Sequence, residues 1–432
     1  MGGFKWVISL LVFCSLMACV NKDNKEQTGP KQVTLVKEKG KYRLHVNGKP
    51  FYVKGAGCEF GNIEKLSQYG ANSLRTWRTN NGRQTGKEVL DQAHENGLMV
   101  LMGLDLGRER HGYDYSDTSW VNKQFREIKQ KVLQYKDHPA LLAWGIGNEL
   151  NLNATNMKVW DAVNDIAEMI HEVDPNHPAT TMLAGISKKD ADYIEEHARA
   201  LDFLSIQMYS DIVNLQTRLA EAGYEGPYMI TEWGATGHWE VPRTSWDAPI
   251  EQTSTEKARA FKKRYQVAIA ADSLRCLGSY VFLWGQKQER TPTWYGMFLE
   301  TGEETATVDM MHYIWKNEWP ANRCPAISQL KLNEQTRYEN VKVQADAMMN
   351  ASVDLEDPDD DSLKIVWEIL PESTDLGEGG DHESRPETIL EIEGKQQQQI
   401  KAPSSPGAYR LFVYGYDQKS NAATGNIPFY VE

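Results

Sequence analysis

Between Phe51 and Trp284 one pattern recurs eight times: a short apolar run, a polar or glycine-containing connection, then a helix-like stretch or long loop. The runs are "FYVKGAG" (51–57), "NSLRTW" (72–77), "LMVLMGLDL" (98–106), "LLAWGIGNE" (141–149), "ATTMLAG" (179–185), "FLSIQMY" (203–209), "YMITEWG" (228–234) and "GSYVFLW" (278–284). A run with little polar alternation suits a strand covered on both faces. Stretches such as "VWDAVNDIAEMIHEV" and "EKARAFKKRYQVAIAADS" space their apolar residues by three and four, as amphipathic helices do. "LSQYGAN" and "AHENGL" each stop a helix at a glycine just before the next run. Strands alternating with helices give a parallel sheet, and eight units over about 260 residues predict a (β/α)8 barrel. An open doubly wound sheet would want GxGxxG after its first strand, and "GAGCEFGN" does not supply it.

The flanks read differently. "YRLHVNGKPFYV" alternates around Asn47-Gly48, a strong hairpin turn signal. From Ser328 the chain is β-rich, with "NVKVQADA", "LKIVWEIL", "YRLFVYGYD" and "IPFYVE" separated by Pro, Gly and Asp clusters. That pattern predicts a small all-β, immunoglobulin-like sandwich after the barrel. Its "VDLEDPDDDSLKIVWEI" resembles the polycystic-kidney and cadherin-like modules found beside secreted bacterial enzymes. The acidic "EDPDDD" (356–361) reads as a solvated turn, with a hard cation as the alternative. The expected division is therefore 1–18 signal peptide, 19–40 tether and leading strand, 41–322 barrel with its N-terminal hairpin, and 323–432 sandwich.

The N-terminus looks like an address. Lys5 precedes an apolar run from Trp6 to Met17, too short to span a bilayer, and "LMAC" then meets "NKDNKEQTGPK". Leu16 to Cys19 resembles the bacterial lipoprotein box, which implies lipid on Cys19 and a place in the bacterial cell envelope, at the outer membrane or cell surface. Setting Cys14 and Cys19 aside leaves Cys58, Cys276 and Cys324, too few for a disulfide framework and without CxxC spacing. The histidines show no HxH or HExxH arrangement, so neither a metal nor another cofactor is expected. A net charge of −13 argues against nucleic acid as a partner.

In a barrel the C-terminal ends of the strands converge on one mouth, where chemistry sits. The polar and aromatic residues at those ends are Arg75 (second strand), Asp105 (third), Asn148 and Glu149 (fourth), Tyr209 (sixth), Glu232 (seventh) and Trp284 (eighth). Two glutamates on opposite sides of a mouth are what glycoside hydrolysis requires. One protonates the leaving oxygen and the other serves the oxocarbenium-like centre. An arginine and a tyrosine nearby hold one carboxylate ionised, while a poorly solvated partner keeps its proton.

Asn-Glu ending the fourth strand, with "ITEWG" on the seventh, resembles glycoside hydrolase clan A. "NGKPFYVKG", "GANSLRTW" and "HPALLAWGIGNE" look closest to the barrel domain of family 2 β-glycosidases and related β-glucan-active families. The resemblance runs from Tyr42 to Trp315. It implies Glu149 as acid/base and Glu232 as nucleophile. It also implies Asn148 on the sugar 2-hydroxyl, Tyr209 and Arg75 on the nucleophile's carboxylate, and Trp284 as the floor under the sugar. Asp105 is either a sugar contact or a brace. The upstream sandwich domains of family 2 enzymes have no room between Cys19 and the barrel, which argues against that family's simple galactosides and glucuronides.

The chain has 13 Trp and 19 Tyr, a supply of rings that could stack on sugar faces. Trp120, Trp239, Trp246, Trp294 and Tyr295 lie in long connections after the third, seventh and eighth strands, where loops form subsites. The expected function is a retaining β-glycoside hydrolase on a β-linked polysaccharide or oligosaccharide, with β-1,3-glucan leading and β-mannan second. A transglycosylase of the same clan and a non-catalytic glycan-binding surface lipoprotein are the alternatives.

Overall fold

A computed structural model describes residues 29–432. The stretch expected to be a signal peptide, Cys19 and most of the expected tether lie outside them. Three short strands, β1 (Val33–Glu38), β2 (Lys41–Val46) and β3 (Lys49–Phe51), form an antiparallel sheet, with the expected turn at Asn47 and Gly48. Val33 and Leu44 pack into one apolar cluster with Leu101, Leu142, Phe203 and Leu277. The Val33 amide bonds to Asn176 O, just before a barrel strand, so this sheet plugs the barrel's N-terminal end.

Eight parallel strands then close into a barrel: β4 (Val53–Gly57), β5 (Ser73–Arg75), β6 (Met99–Leu104), β7 (Leu141–Ile146), β8 (Ala179–Ala184), β9 (Phe203–Gln207), β10 (Tyr228–Glu232) and β11 (Cys276–Val281). Each falls within or across one of the eight apolar runs. Between and after them stand α1 (Ile63–Gln68), α2 (Gly86–Glu95), α3 (Thr118–Tyr135), α4 (Lys158–Val173), α5 (Lys188–His197), α6 (Leu215–Ala222), α7 (Ser254–Arg264) and α8 (Ala306–Lys316). Strands β6, β7 and β11 are buried at every position, which explains their unbroken apolar character. With one end plugged, the C-terminal mouth is where polar groups can gather.

The C-terminal region is a sandwich of two sheets. β12 (Ala326–Leu332), β14 (Met348–Glu356) and β17 (Gln397–Lys401) form one. β13 (Lys342–Val343), β19 (Ala422–Val431), β18 (Gly407–Tyr416), β15 (Lys364–Pro371) and β16 (Leu390–Gly394) form the other. Leu330, Val353, Trp367, Leu411 and Phe429 meet in the core between them. Among the described residues no helix is long and apolar enough to cross a membrane, and Cys58, Cys276 and Cys324 are buried and unbridged.

Barrel and sandwich share a buried polar seam along α7. Glu251 accepts from Lys257 Nζ (2.5 Å), Thr291 Oγ1 (2.6 Å) and Thr293 Oγ1 (2.9 Å) in the barrel, and from Asn426 Nδ2 (2.6 Å) in β19. Arg410 of β18 donates to Pro249 O at 2.5 Å. Glu256 accepts from the Thr253 amide in a helix-capping box and from Arg337 of the sandwich. A fully buried pair is costly to break, because the surviving charge is stranded. Glu251→Ala leaves the Lys257 ammonium without its carboxylate and should lower stability by about 3–5 kcal/mol in denaturant unfolding. A change below about 0.5 kcal/mol, the size of an ordinary surface substitution, would show that the seam carries no stability.

Candidate active site

The fourth strand shows how the site is built. Its apolar run ends at Ile146, whose carbonyl accepts from Thr181 Oγ1 at 2.8 Å. Gly147 then takes φ 72 and Glu149 takes φ 51, so the chain leaves the barrel wall in a left-handed turn. A β-carbon on Gly147 would meet Leu150 at 2.5 Å, which is why glycine stands there. The Glu149 amide bonds to Met182 O (2.9 Å) and its carbonyl accepts from Arg110 Nη1 (3.0 Å). These contacts pin the turn that carries Asn148 and Glu149 into the mouth.

Facing them, Glu232 ends β10 and is 5% exposed. Its Oε1 accepts from Arg75 Nη1 (2.8 Å), Trp77 Nε1 (2.8 Å) and Gln207 Nε2 (3.0 Å), and its Oε2 from Tyr209 Oη (3.0 Å). Four donors around an acceptor-only group suit an ionised carboxylate. Burial, with Glu232 beside it, holds the Tyr209 hydroxyl far above the usual phenol range, so it stays a donor. Arg75 is fully buried at the end of β5 and stacks over Trp77, 5.0 Å from the ring centre. It also donates to Thr231 O (2.9 Å) and to Asn148 Oδ1. Gln207 Nε2 reaches the same Asn148 oxygen at 2.8 Å, and Asn148 lines the cavity.

Glu149 has the opposite environment. Burial and the nearby charge of Glu232 push its carboxyl up to about 8, with Arg110, Arg75 and Arg108 pulling the other way. One carboxylate is saturated with donors, and the other is kept protonated at neutral pH. Such a divergence would let one act as base or nucleophile and the other as acid. Both glutamates line one cavity of about 830 Å³, together with Asn148, Trp77, Trp239 and Phe282.

The residues expected from sequence are placed as follows. Arg75, Asn148, Glu149, Tyr209 and Glu232 converge in the mouth. Asp105 lines the cavity and pairs with Arg108 at 3.3 Å, so it is available both as brace and as contact. Trp239 is 58% exposed on the cavity wall, its ring edge-on to Tyr209 at 5.5 Å. Trp284 does not form a floor under a sugar. It is fully buried, donates to Asn62 O (2.9 Å) and packs against Tyr69, Phe298 and Trp315. The backbone explains this: the Phe282 amide pairs with Trp233 O and the Trp284 amide with Gly57 O, and Phe282 is the one that reaches the cavity.

Trp294 is also buried, tied to Thr236 O at 2.9 Å, and holds a loop in place where a sugar contact was expected. Tyr295 is buried against Tyr209, Trp120 packs on Tyr113, and Trp246 packs on Tyr430 of the sandwich. Among the residues of the site not singled out from sequence are Trp77, Gln207 and Phe282. Each lies within two residues of its strand's end, inside the quoted runs "NSLRTW", "FLSIQMY" and "GSYVFLW", so the strand-end rule could have found them. Away from the mouth, Asp357, Asp361 and Asp417 bring carboxylate oxygens within 4.8 Å of one another, and Lys419 pairs with Asp361 at 2.6 Å.

Residues 62–240 match the model for the TIM barrel domain of glycosyl hydrolases family 2. A mannan endo-1,4-beta-mannosidase F from Aspergillus clavatus is 28% identical over 116 residues, which cover 23% of this chain and 27% of that protein. A beta-D-glucuronidase from Dictyoglomus thermophilum has the same fold, with TM-score 0.51 and 20% identity over 67% of this chain and 54% of that one. Beta-glucuronidase 2 from Bacteroides uniformis aligns at TM-score 0.51 and 12% identity, covering 93% of this chain and 48% of that one. The chain thus spans about half the length of these solved relatives, and its matched stretch covers about a quarter of the mannosidase.

The raised Glu149 carboxyl fixes the sign of a pH effect. It is protonated below about 8 and loses its proton above that, so an acid-dependent step weakens as pH rises through 8. For a substrate whose leaving group must be protonated, log kcat/KM should fall with unit slope on this alkaline side. In carbon-13 NMR, Glu232→Gln removes the neighbouring charge and should bring the Glu149 titration down towards the ordinary range. A Glu149 titration unmoved by that substitution would contradict the coupling.

Proposed function

We propose that the protein is a retaining β-glycoside hydrolase that acts by double displacement. The observation that carries this is the asymmetry of the two glutamates in one cavity: Glu232 held by four donors, Glu149 raised to about 8. In the first step Glu232 Oε attacks the anomeric carbon while Glu149 gives its proton to the departing glycosidic oxygen. The sugar is then an ester on Glu232, and Glu149 is a carboxylate. In the second step Glu149 takes a proton from water as that water attacks the anomeric carbon, releasing the sugar and Glu232. Asn148, which lines the same cavity, would contact the 2-hydroxyl of the sugar at the cleaved bond.

The substrate is a β-linked glycan. The mannosidase relative supports setting β-1,4-mannan beside β-1,3-glucan, and the glucuronidase fold relatives bring acidic glycosides into the same panel. An acceptor sugar in place of water in the second step would give the transglycosylase form of the same chemistry. The short parallel strand β13 beside β19, in a three-plus-five sandwich, supports an immunoglobulin-like reading of the C-terminal region. Lipidation at Cys19 and a place at the bacterial envelope complete the proposal. Cys19→Ser should then abolish palmitate labelling and move the protein from the membrane pellet to the soluble fraction; unchanged labelling would refute the anchor.

The chemistry is tested on p-nitrophenyl β-glycosides, whose leaving group needs no acid. Glu149→Ala should form its ester and then stall, and azide should restore turnover with a β-glycosyl azide as product. General acid–base help is worth about 10²–10⁴-fold, so a comparable loss is expected with poor leaving groups. Azide without effect, or an α-azide product, would contradict these roles.

A further inference from the structure

The connection between β15 and β16, residues 372–389, leaves the sandwich and reaches over the barrel mouth. Residues 377–382, "GEGGDH", line the same cavity as Glu149 and Glu232. Long loops without secondary structure of their own are usually functional or disordered, and this one is fixed at both sides of the mouth. On the eighth-strand side, buried Glu383 accepts from the Arg290 amide (2.5 Å) and Arg290 Nη1 (2.6 Å), and Lys287 Nζ donates to Gly380 O (2.6 Å). On the third- and fourth-strand side, Asp381 pairs with His111 at 2.9 Å.

The chain lies close to the barrel wall there, in a backbone conformation that favours glycine. Gly379 and Gly380 have φ 56 and 78, and a β-carbon on Gly379 would stand 2.8 Å from Arg110 Nη2 and 2.9 Å from Leu152. Arg110 is the residue that holds the Glu149 carbonyl. The loop therefore crosses from the connection after β11 to those after β6 and β7, on opposite sides of the closed barrel. A groove open at both ends would have no such strap. We infer that this sandwich loop ends the substrate cleft, so that the barrel takes β-linked sugar chains by their ends and releases short products.

The inference rests on the glycosidase reading. Its test uses the full chain, laminarin, β-mannan, their pentasaccharides, and p-nitrophenyl β-glucoside, mannoside and glucuronide. A variant with residues 377–382 replaced by two glycines should shift first products from the active polymer towards longer oligosaccharides. Its KM for the pentasaccharide should rise by about tenfold, the scale of one lost hydrogen bond, with the kcat for the aryl glycoside little changed. The double variant H111A/D381A loosens the same strap by side chains alone and is read in the same way if the shortened loop fails to fold. Unchanged product lengths and KM in folded variants would overturn the inference while leaving the glycosidase reading intact. A wild-type protein inert on every substrate would instead overturn the glycosidase reading, and the inference with it.

Discussion

The structure of the mouth depends on one buried ion pair, Arg75 with Glu232. A guanidinium without solvent exposure at the end of β5 is tolerable only because a carboxylate, a carbonyl and an amide oxygen surround it. The same contacts fix the orientation of Glu232, hold Asn148, and set a negative charge beside Glu149. That charge, added to burial, keeps the second glutamate protonated. The division of labour between two chemically identical side chains thus follows from where a single arginine was placed. Trp77 and Gln207 add donors to the same oxygen, so the pair is a network and its members will not behave additively.

The barrel supplies this geometry and the sandwich bounds it. The seam through Glu251, Arg410 and Glu256 fixes the sandwich against α7 with buried hydrogen bonds. From that fixed position a single loop can reach the mouth with a defined register. The glutamates lie on rigid strand ends, while what decides access to them comes from outside the barrel. In the proposed function, catalytic chemistry and substrate choice would be carried by different parts of the chain.

Much of this was legible in the sequence, for physical reasons. A strand covered on both faces has no polar alternation, so all eight barrel strands stood out as apolar runs. A carboxylate closing such a run, as Glu149 and Glu232 do, has few places to go other than a mouth. Aromatic residues were harder, because a tryptophan's presence says nothing of its direction. Trp284 and Trp294 turned into the packing, whereas Trp239 stayed in the cavity. Phe282, two residues before Trp284, is the residue that lines the cavity. The loop at 377–382 was invisible as a site element, since its role depends on how two domains dock and no local pattern encodes that.

The most direct test of the account is to trap the covalent intermediate. A 2-deoxy-2-fluoro β-glycosyl fluoride of the preferred sugar slows the second step more than the first. Peptide mass spectrometry of the inactivated protein should then place one fluorosugar on Glu232, and none when Glu232→Gln is treated alike. A label on another residue, or an active enzyme that accumulates no label and releases product with inverted anomeric configuration, would contradict the assignment.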